Sequence, residues 1–277
     1  MPGKLFIVGT PIGNMEDITL RALRILREAT LIAAEDTRSA RNLLSHHDIH
    51  TPVTSYYEHN KLSKLDVILA ALDNGDVALI SEAGMPGISD PGYELVCAAV
   101  ERGITVTPIP GPSALLSALA ASGLPTDRFL FIGFLPRQKT QRRRLLSDIA
   151  AERPTIVAYE SPHRLVDALQ DIQDVLGDRR MVAARELTKM FEEFRRGPVS
   201  EVLEHFQATS PRGEFTLVIE GNRDDQAPAP PSLEQVQQRL AELAALGIAP
   251  SEAARLVAAE TGLPRREVYR MSVVSDQ

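Results

Sequence analysis

Ser81-Glu-Ala-Gly-Met-Pro-Gly-Ile-Ser-Asp-Pro-Gly92 is the stretch on which the reading of the chain turns. It follows the apolar run Val77-Ala-Leu-Ile80, which reads as a buried strand. It precedes Tyr93 to Arg102, where apolar residues recur at helical spacing up to Gly103. Three glycines and two prolines between a strand and a helix describe a backbone held on a fixed, unusual path. Gly84, Gly87 and Gly92 carry no side chain, so a ligand can lie directly against peptide groups. In an α/β sheet such loops stand at the carboxyl ends of strands, where ligands bind. The loop is longer and more punctuated than a plain βα connector.

Working outward, apolar runs and helical patterns alternate over the first 220 residues. Leu5-Phe-Ile-Val8 is a strand that runs into Gly9-Thr-Pro-Ile-Gly-Asn14. Asp17 then offers an N-cap to a helix with Leu20, Leu23, Leu26 and Ala29 on one face. Leu31 to Ala34 and Ile104 to Ile109 are further strands, Leu62 to Leu72 is a helix, and Ser113 caps a small-residue helix over Ala114 to Ala121. This βαβα order predicts an α/β domain with a mostly parallel sheet over residues 1–122. Residues 123–221 predict a second α/β domain. Its strands fall at Arg128 to Leu135, Thr155 to Tyr159, Met181 to Ala184 and Phe215 to Ile219, and its helices at Leu165 to Leu176 and Pro198 to Phe206. A ligand cleft is expected between the two domains. Residues 222–231 are a Pro-rich linker, and 232–277 predict three short helices resembling a helix-turn-helix module.

Composition narrows the function. The 277 residues are 44% hydrophobic and 24% charged, with a formal net charge of −7, so any nucleic-acid surface must be a local patch. The single cysteine, Cys97, excludes an internal disulfide framework and a multi-cysteine zinc site, and its helical position reads as core. The six histidines lack metal-ligand spacing, so no metal is expected. No leader segment and no membrane-length apolar run are read from the sequence, and the expectation is a cytoplasmic protein. The motifs of P-loop nucleotidases, dinucleotide-binding folds and serine hydrolases are absent.

Charges cluster at strand ends. In Ala33-Ala-Glu-Asp-Thr-Arg38, Asp36 or Thr37 can cap the next helix, or Glu35 and Asp36 can face the cleft. Tyr159-Glu-Ser-Pro-His-Arg164 is a second such place. Ala184-Arg-Glu-Leu-Thr-Lys-Met-Phe191, with Arg185, Glu186 and Lys189, is a third, suited to gripping or activating a polar substrate. Arg137, Lys139, Arg142, Arg143 and Arg144 put five positive side chains into eight residues. This run is either a solvated helix face or an RNA phosphate contact that Arg195 and Arg196 extend. The tail carries five arginines against six acids, which argues against a DNA groove reader.

Six motifs in order carry a family resemblance: Val8 to Thr19, Ala34 to Arg38, Ser81 to Gly92, Pro110 to Ala114, Tyr159 to Arg164 and Arg185 to Lys189. Together they resemble the ribosomal-RNA ribose methyltransferases of the tetrapyrrole-methylase superfamily, over essentially the whole chain and its helical tail. At the first loop, Gly9 to Asn14 departs from the more glycine-rich version of the tetrapyrrole-making relatives.

The resemblance implies two α/β domains that hold S-adenosylmethionine folded between them, usually in a homodimer. The implied reaction is methyl transfer to the ribose 2′-oxygen of a cytidine in the decoding region of 16S ribosomal RNA, free or within the 30S subunit, with no membrane partner. It places Ala83, Gly84, Met85, Pro86, Gly87 and Ile88 around the methionine part of the donor, with Pro11, Ser113 and Ala114 as neighbours. Ala184, Leu187, Thr216 and Leu217 border the adenosine. The expected catalytic groups are Lys189 and Arg185 as cations and Glu186, Glu35 or Asp36 as proton acceptor. The alternative reading keeps the fold and changes the acceptor to a tetrapyrrole, another small molecule or a protein side chain.

Overall fold

The computed structural model describes residues 3–223, 233–245, 248–261 and 268–271. Residues up to Asn222 form one compact unit and those from Arg223 onward another.

The first unit contains two five-stranded sheets. In the first, β1 (Leu5–Val8), β2 (Leu31–Ala34), β3 (Val53–Ser55), β4 (Val77–Ile80) and β5 (Val106–Ile109) lie in the order β3-β2-β4-β1-β5, all pairs parallel. The central strands β1 and β4 are buried on both faces, which is why they read as unbroken apolar runs. Alternation splits their side chains between two cores. Phe6, Val8, Ala78 and Ile80 pack with α1 (Leu20–Glu28) and α2 (Thr37–His46). Leu5, Ile7, Val77 and Leu79 pack with α3 (Lys61–Leu72) and α4 (Tyr93–Glu101).

Around this first sheet, local expectations need correction in three places. Thr19, not Asp17, caps α1 by accepting the Ala22 N–H, while Asp17 ends a short 3-10 turn capped by Asn14. The helix therefore starts later and buries Ala22, Ile25 and Leu26, leaving Leu20 86% exposed. β3 is an addition to the expected strands, because three half-buried residues carry no periodicity. Cys97 is half-buried rather than in the core of α4, whose buried residues are Leu95 and Ala99.

The second sheet is mixed. β6 (Phe129–Phe134), β7 (Thr155–Glu160), β8 (Arg180–Arg185), β9 (Glu193–Pro198) and β10 (Phe215–Ile219) take the order β6-β7-β10-β8-β9, and only β6–β7 is parallel. One face packs on α6 (Lys139–Asp148), α7 (Leu165–Leu176) and α8 (Val199–Ala208). The other receives α5 (Ala114–Ser122): Leu115, Ala118 and Leu119 sit on Val157, Val182 and Val218. Ser113 caps α5 as expected, and its small residues let it lie close to the sheet. β9 is a second addition, since Glu193-Phe-Arg-Arg-Gly-Pro198 is a polar edge strand.

β6 holds one irregularity. Phe131 pairs with Val157 and Phe134 with Tyr159, so β6 spends one residue more than β7 over this stretch, and Gly133 takes φ 65°.

The second unit has its own core. α9 (Leu233–Ala245) and α10 (Pro250–Thr261) enclose Val236, Leu240, Leu243, Ala253, Ala254 and Val257, joined by Val268 from a helical turn over 268–271. Most of the expected linker, residues 224–231, lies outside the described residues, as do Arg265 and Arg266. Among the described residues, no helix is long and apolar enough to cross a membrane.

Candidate functional site

A cavity of about 1010 Å³ opens between the two sheets, walled by the loops that follow β1, β4 and β5 and by the ends of β7, β8 and β10. The three loops are locked to one another. Thr10 and Gly84 exchange two backbone hydrogen bonds of 2.9 and 3.0 Å. The backbones at Gly9 and Gly111 touch: a Cβ on Gly111 would stand 2.9 Å from the Gly9 Cα and carbonyl oxygen. Gly84 adopts φ 84° and Gly87 φ 81°, conformations that a side chain would strain. Gly111→Ala is therefore expected to force two backbones apart, costing about 1–3 kcal/mol. An unchanged melting temperature for that variant would show that the loops yield freely.

The wall is acidic. Glu35, Glu82 and Asp90 line it, and Glu35 Oε2 accepts the Glu82 N–H at 3.2 Å. Burial pushes the half-buried Asp90 carboxyl up to about 7, aided by the negative charges of Glu35 and Glu82 and opposed by a hydrogen bond from Ser81. Across the cavity, Lys189 Nζ is gripped by Glu186 Oε1 at 3.0 Å and Glu214 Oε2 at 2.9 Å. Burial works to lower its pKa, but hydrogen bonds to Glu214 and Glu186 outweigh it and hold the ammonium above the ordinary lysine range. Burial likewise opposes ionisation of Glu186, and its bonds from Lys189 and from the Glu214 N–H prevail, keeping it below the ordinary range.

The Lys189 turn is built under strain. Glu186 and Thr188 take φ 49° and 67°, Thr188 N–H donates to Glu192 at 2.6 Å, and Asn14 N–H donates to Thr188 Oγ1 at 3.1 Å. The β1 loop thus seats on this turn, with Gly13 against the Lys189 stem.

Of the residues expected at the site, Pro11, Ala83, Gly84, Met85, Ile88, Ser113, Ala114, Ala184, Leu187, Thr216, Glu35 and Lys189 line the cavity. Pro86 and Gly87 lie in the same loop without lining it. Leu217 is corrected: it faces the helix-covered core, because neighbours on a strand point to opposite faces. Of the two readings of Asp36, the cap is the one seen: its carboxylate accepts the Arg38 and Ser39 N–H groups at the start of α2, and it does not line the cavity. Arg185 turns to the Arg212 carbonyl and Glu193, and Glu186 does not line the cavity but bonds two residues that do, Lys189 and the Glu214 N–H.

The basic run divides. Arg142 is 3% exposed and forks onto Asp171 Oδ2 at 2.8 and 2.6 Å, so it is a structural arginine and not an RNA contact. Arg143 bonds Asp171 and Asp174, while Arg137, Lys139 and Arg144 remain exposed on or beside α6. Sequence reasoning missed Asp90, although it lies inside the glycine-rich loop, and gave no signal for Glu214 or Phe134 on the wall.

The two sheets and the glycine-walled cavity define a tetrapyrrole-methylase-type protein, and residues 4–203 match the profile of the Tetrapyrrole (Corrin/Porphyrin) Methylases. Residues 230–273 match that of the RsmI C-terminal HTH domain. The chain belongs to the ribosomal RNA small subunit methyltransferase I family. A relative of that name from Halalkalibacterium halodurans is 48% identical over 272 residues, 97% of this chain and 94% of its own length. Another from Thermotoga maritima is 53% identical over 220 residues, 79% of this chain and 99% of its own. Uroporphyrin III C-methyl transferase from Thermus thermophilus shares the fold at 20% identity, with a TM-score of 0.56 over 79% of this chain and 97% of that one.

Proposed function

We propose that the chain transfers a methyl group from S-adenosylmethionine to the ribose 2′-oxygen of a cytidine in the decoding region of 16S ribosomal RNA, as a cytoplasmic homodimer. The observation that carries this reading is the acidic, glycine-walled cavity in a chain whose near-full-length relatives are named as methyltransferases of small-subunit ribosomal RNA. The wall fits the donor. Its backbone groups at Ala83, Gly84 and Met85 can meet the amino-acid part. The carboxylates of Glu35, Glu82 and Asp90 complement a ligand bearing a sulfonium and an ammonium. Ala184, Leu187 and Thr216 offer an apolar seat for the adenine.

When bound, the donor supplies an already activated methyl group, so the protein's task is alignment and charge. Lys189, kept protonated by its two carboxylates, places a fixed positive charge beside the oxygen that becomes more negative as its proton leaves. Glu35 offers a wall carboxylate to accept that proton. Lys189→Met is expected to lower kcat about 100-fold. Wild-type kcat in that variant would remove Lys189 from the mechanism.

The direct test is transfer of a labelled methyl group from S-adenosylmethionine to small ribosomal subunits from cells lacking this gene, followed by mapping of the modified residue. Label on a cytidine ribose supports the proposal. Donor binding without label on subunits or free 16S RNA would redirect it to a tetrapyrrole or other acceptor.

A further inference from the structure

We infer that Phe134 is the platform on which the base of the acceptor nucleotide stacks; this rests on the proposed RNA reaction. Phe134 is 56% exposed, and of the exposed phenylalanines Phe129, Phe134 and Phe191 it is the one that lines the cavity.

The fold goes out of its way to place it there. Along a regular strand, residues three apart face opposite sides. The extra residue in β6 breaks that alternation, and Phe131 and Phe134 both meet the Tyr159 ring, at centroid distances of 5.1 and 5.4 Å. Gly133, at φ 65°, makes the bend, and a Cβ there would stand 3.4 Å from Ser89 Oγ in the loop after β4. Bulges beside active sites re-aim side chains in this way. Tyr159 is itself packed on Phe131 and on the core that contains Leu115, so Phe134 rests on a ring held in place.

Two magnitudes point to the acceptor rather than the donor. The adenine seat runs from Ala184 and Leu187, at β8 and its end, to Thr216 on β10, whereas Phe134 stands on the edge strand β6. Three inter-strand spacings, about 14 Å, separate β6 from β8, and two, about 10 Å, separate it from β10, so Phe134 stands at the end of the cavity away from most of that seat. The cavity of about 1010 Å³ also lies at the upper end of the roughly 300–1,000 Å³ usual for a single small ligand, which leaves room for a second occupant. An unpaired base recognised by stacking on an aromatic ring is the common mode for single-stranded RNA.

The test compares Phe134→Ala and Phe134→Trp with the wild type, using unmethylated small subunits as acceptor and calorimetric titration with S-adenosylmethionine. The alanine variant should raise KM for the subunit about tenfold to a hundredfold. Its donor affinity and melting temperature should stay at wild-type values, and tryptophan should restore the wild-type KM. A parallel loss of donor affinity would overturn the inference by placing the ring against the donor, and an unchanged KM would overturn it outright. Wild-type enzyme that binds donor but labels no small-subunit RNA would instead overturn the proposed reaction, and the stacking role with it.

Discussion

Replacing Asp90 with asparagine is expected to weaken S-adenosylmethionine binding about 10- to 100-fold while leaving the protein at least as stable as before. The carboxylate is half-buried on the cavity wall beside Glu35 and Glu82, where a cationic ligand relieves the repulsion among the three. Removing one charge-assisted interaction from such a site weakens binding by about this factor. The stability follows from the sign of the shift. An acid whose folded pKa is raised to about 7 destabilises the fold as pH climbs from the ordinary carboxylate range, with the full cost present above 7. Asparagine removes that cost. The same shift makes wild-type donor affinity fall as pH drops below about 7, when Asp90 takes up its proton, and the variant should lack this dependence. Calorimetric titration at several pH values with a parallel thermal melt checks both. Unchanged affinity with lowered kcat would make Asp90 the proton acceptor instead.

The second large effect is on stability. Arg142→Met should lower the melting temperature by roughly 6–12 °C, because it strands Asp171, 1% exposed, without its forked partner. Breaking a buried pair from one side costs about 3 kcal/mol or more, and in a unit of this size each kcal/mol shifts the midpoint by about 2–4 °C. Arg143, which also bonds Asp171, keeps the loss toward the lower end of the range for buried pairs. Replacing Asp171 with leucine in the same variant should recover much of it. Arg137→Ala and Arg144→Ala lie on exposed positions and should leave the melt unchanged while weakening RNA binding and its salt dependence. A normal melt for Arg142→Met, with RNA affinity lost, would return Arg142 to the binding surface.

These two residues show where the sequence can and cannot be read. The strand, glycine-rich loop and helix around Ser81 to Gly92 are legible because chain direction, glycine placement and apolar period are local properties. So are the Ser113 cap and the cavity-lining positions Gly84, Met85, Ser113 and Ala114. Asp90 sits in that same loop, but what distinguishes it is the company of Glu35, which is brought near only by sheet pairing. Arg142 looks like its neighbours in the sequence because Asp171 lies 29 residues further on, on α7. Leu217 misses the wall, and Asp36 takes the cap rather than the cleft, for a different reason: one strand or helix start cannot turn consecutive side chains the same way. The antiparallel pairing of most of the second sheet leaves no trace in the order of its elements, and polar β9 gives no apolar signal.

The extra residue in β6 has a consequence for solubility as well. Phe129-Leu-Phe-Ile-Gly-Phe134 is a six-residue run with no charge and no proline, and it lies on the outer edge of its sheet. Straight, such an edge would be a template for pairing with another chain, as in cross-β assembly. The kink at Gly133 interrupts the row of free backbone groups where another strand would need it continuous. A variant that straightened β6 would gain regularity in one molecule and invite many molecules to join.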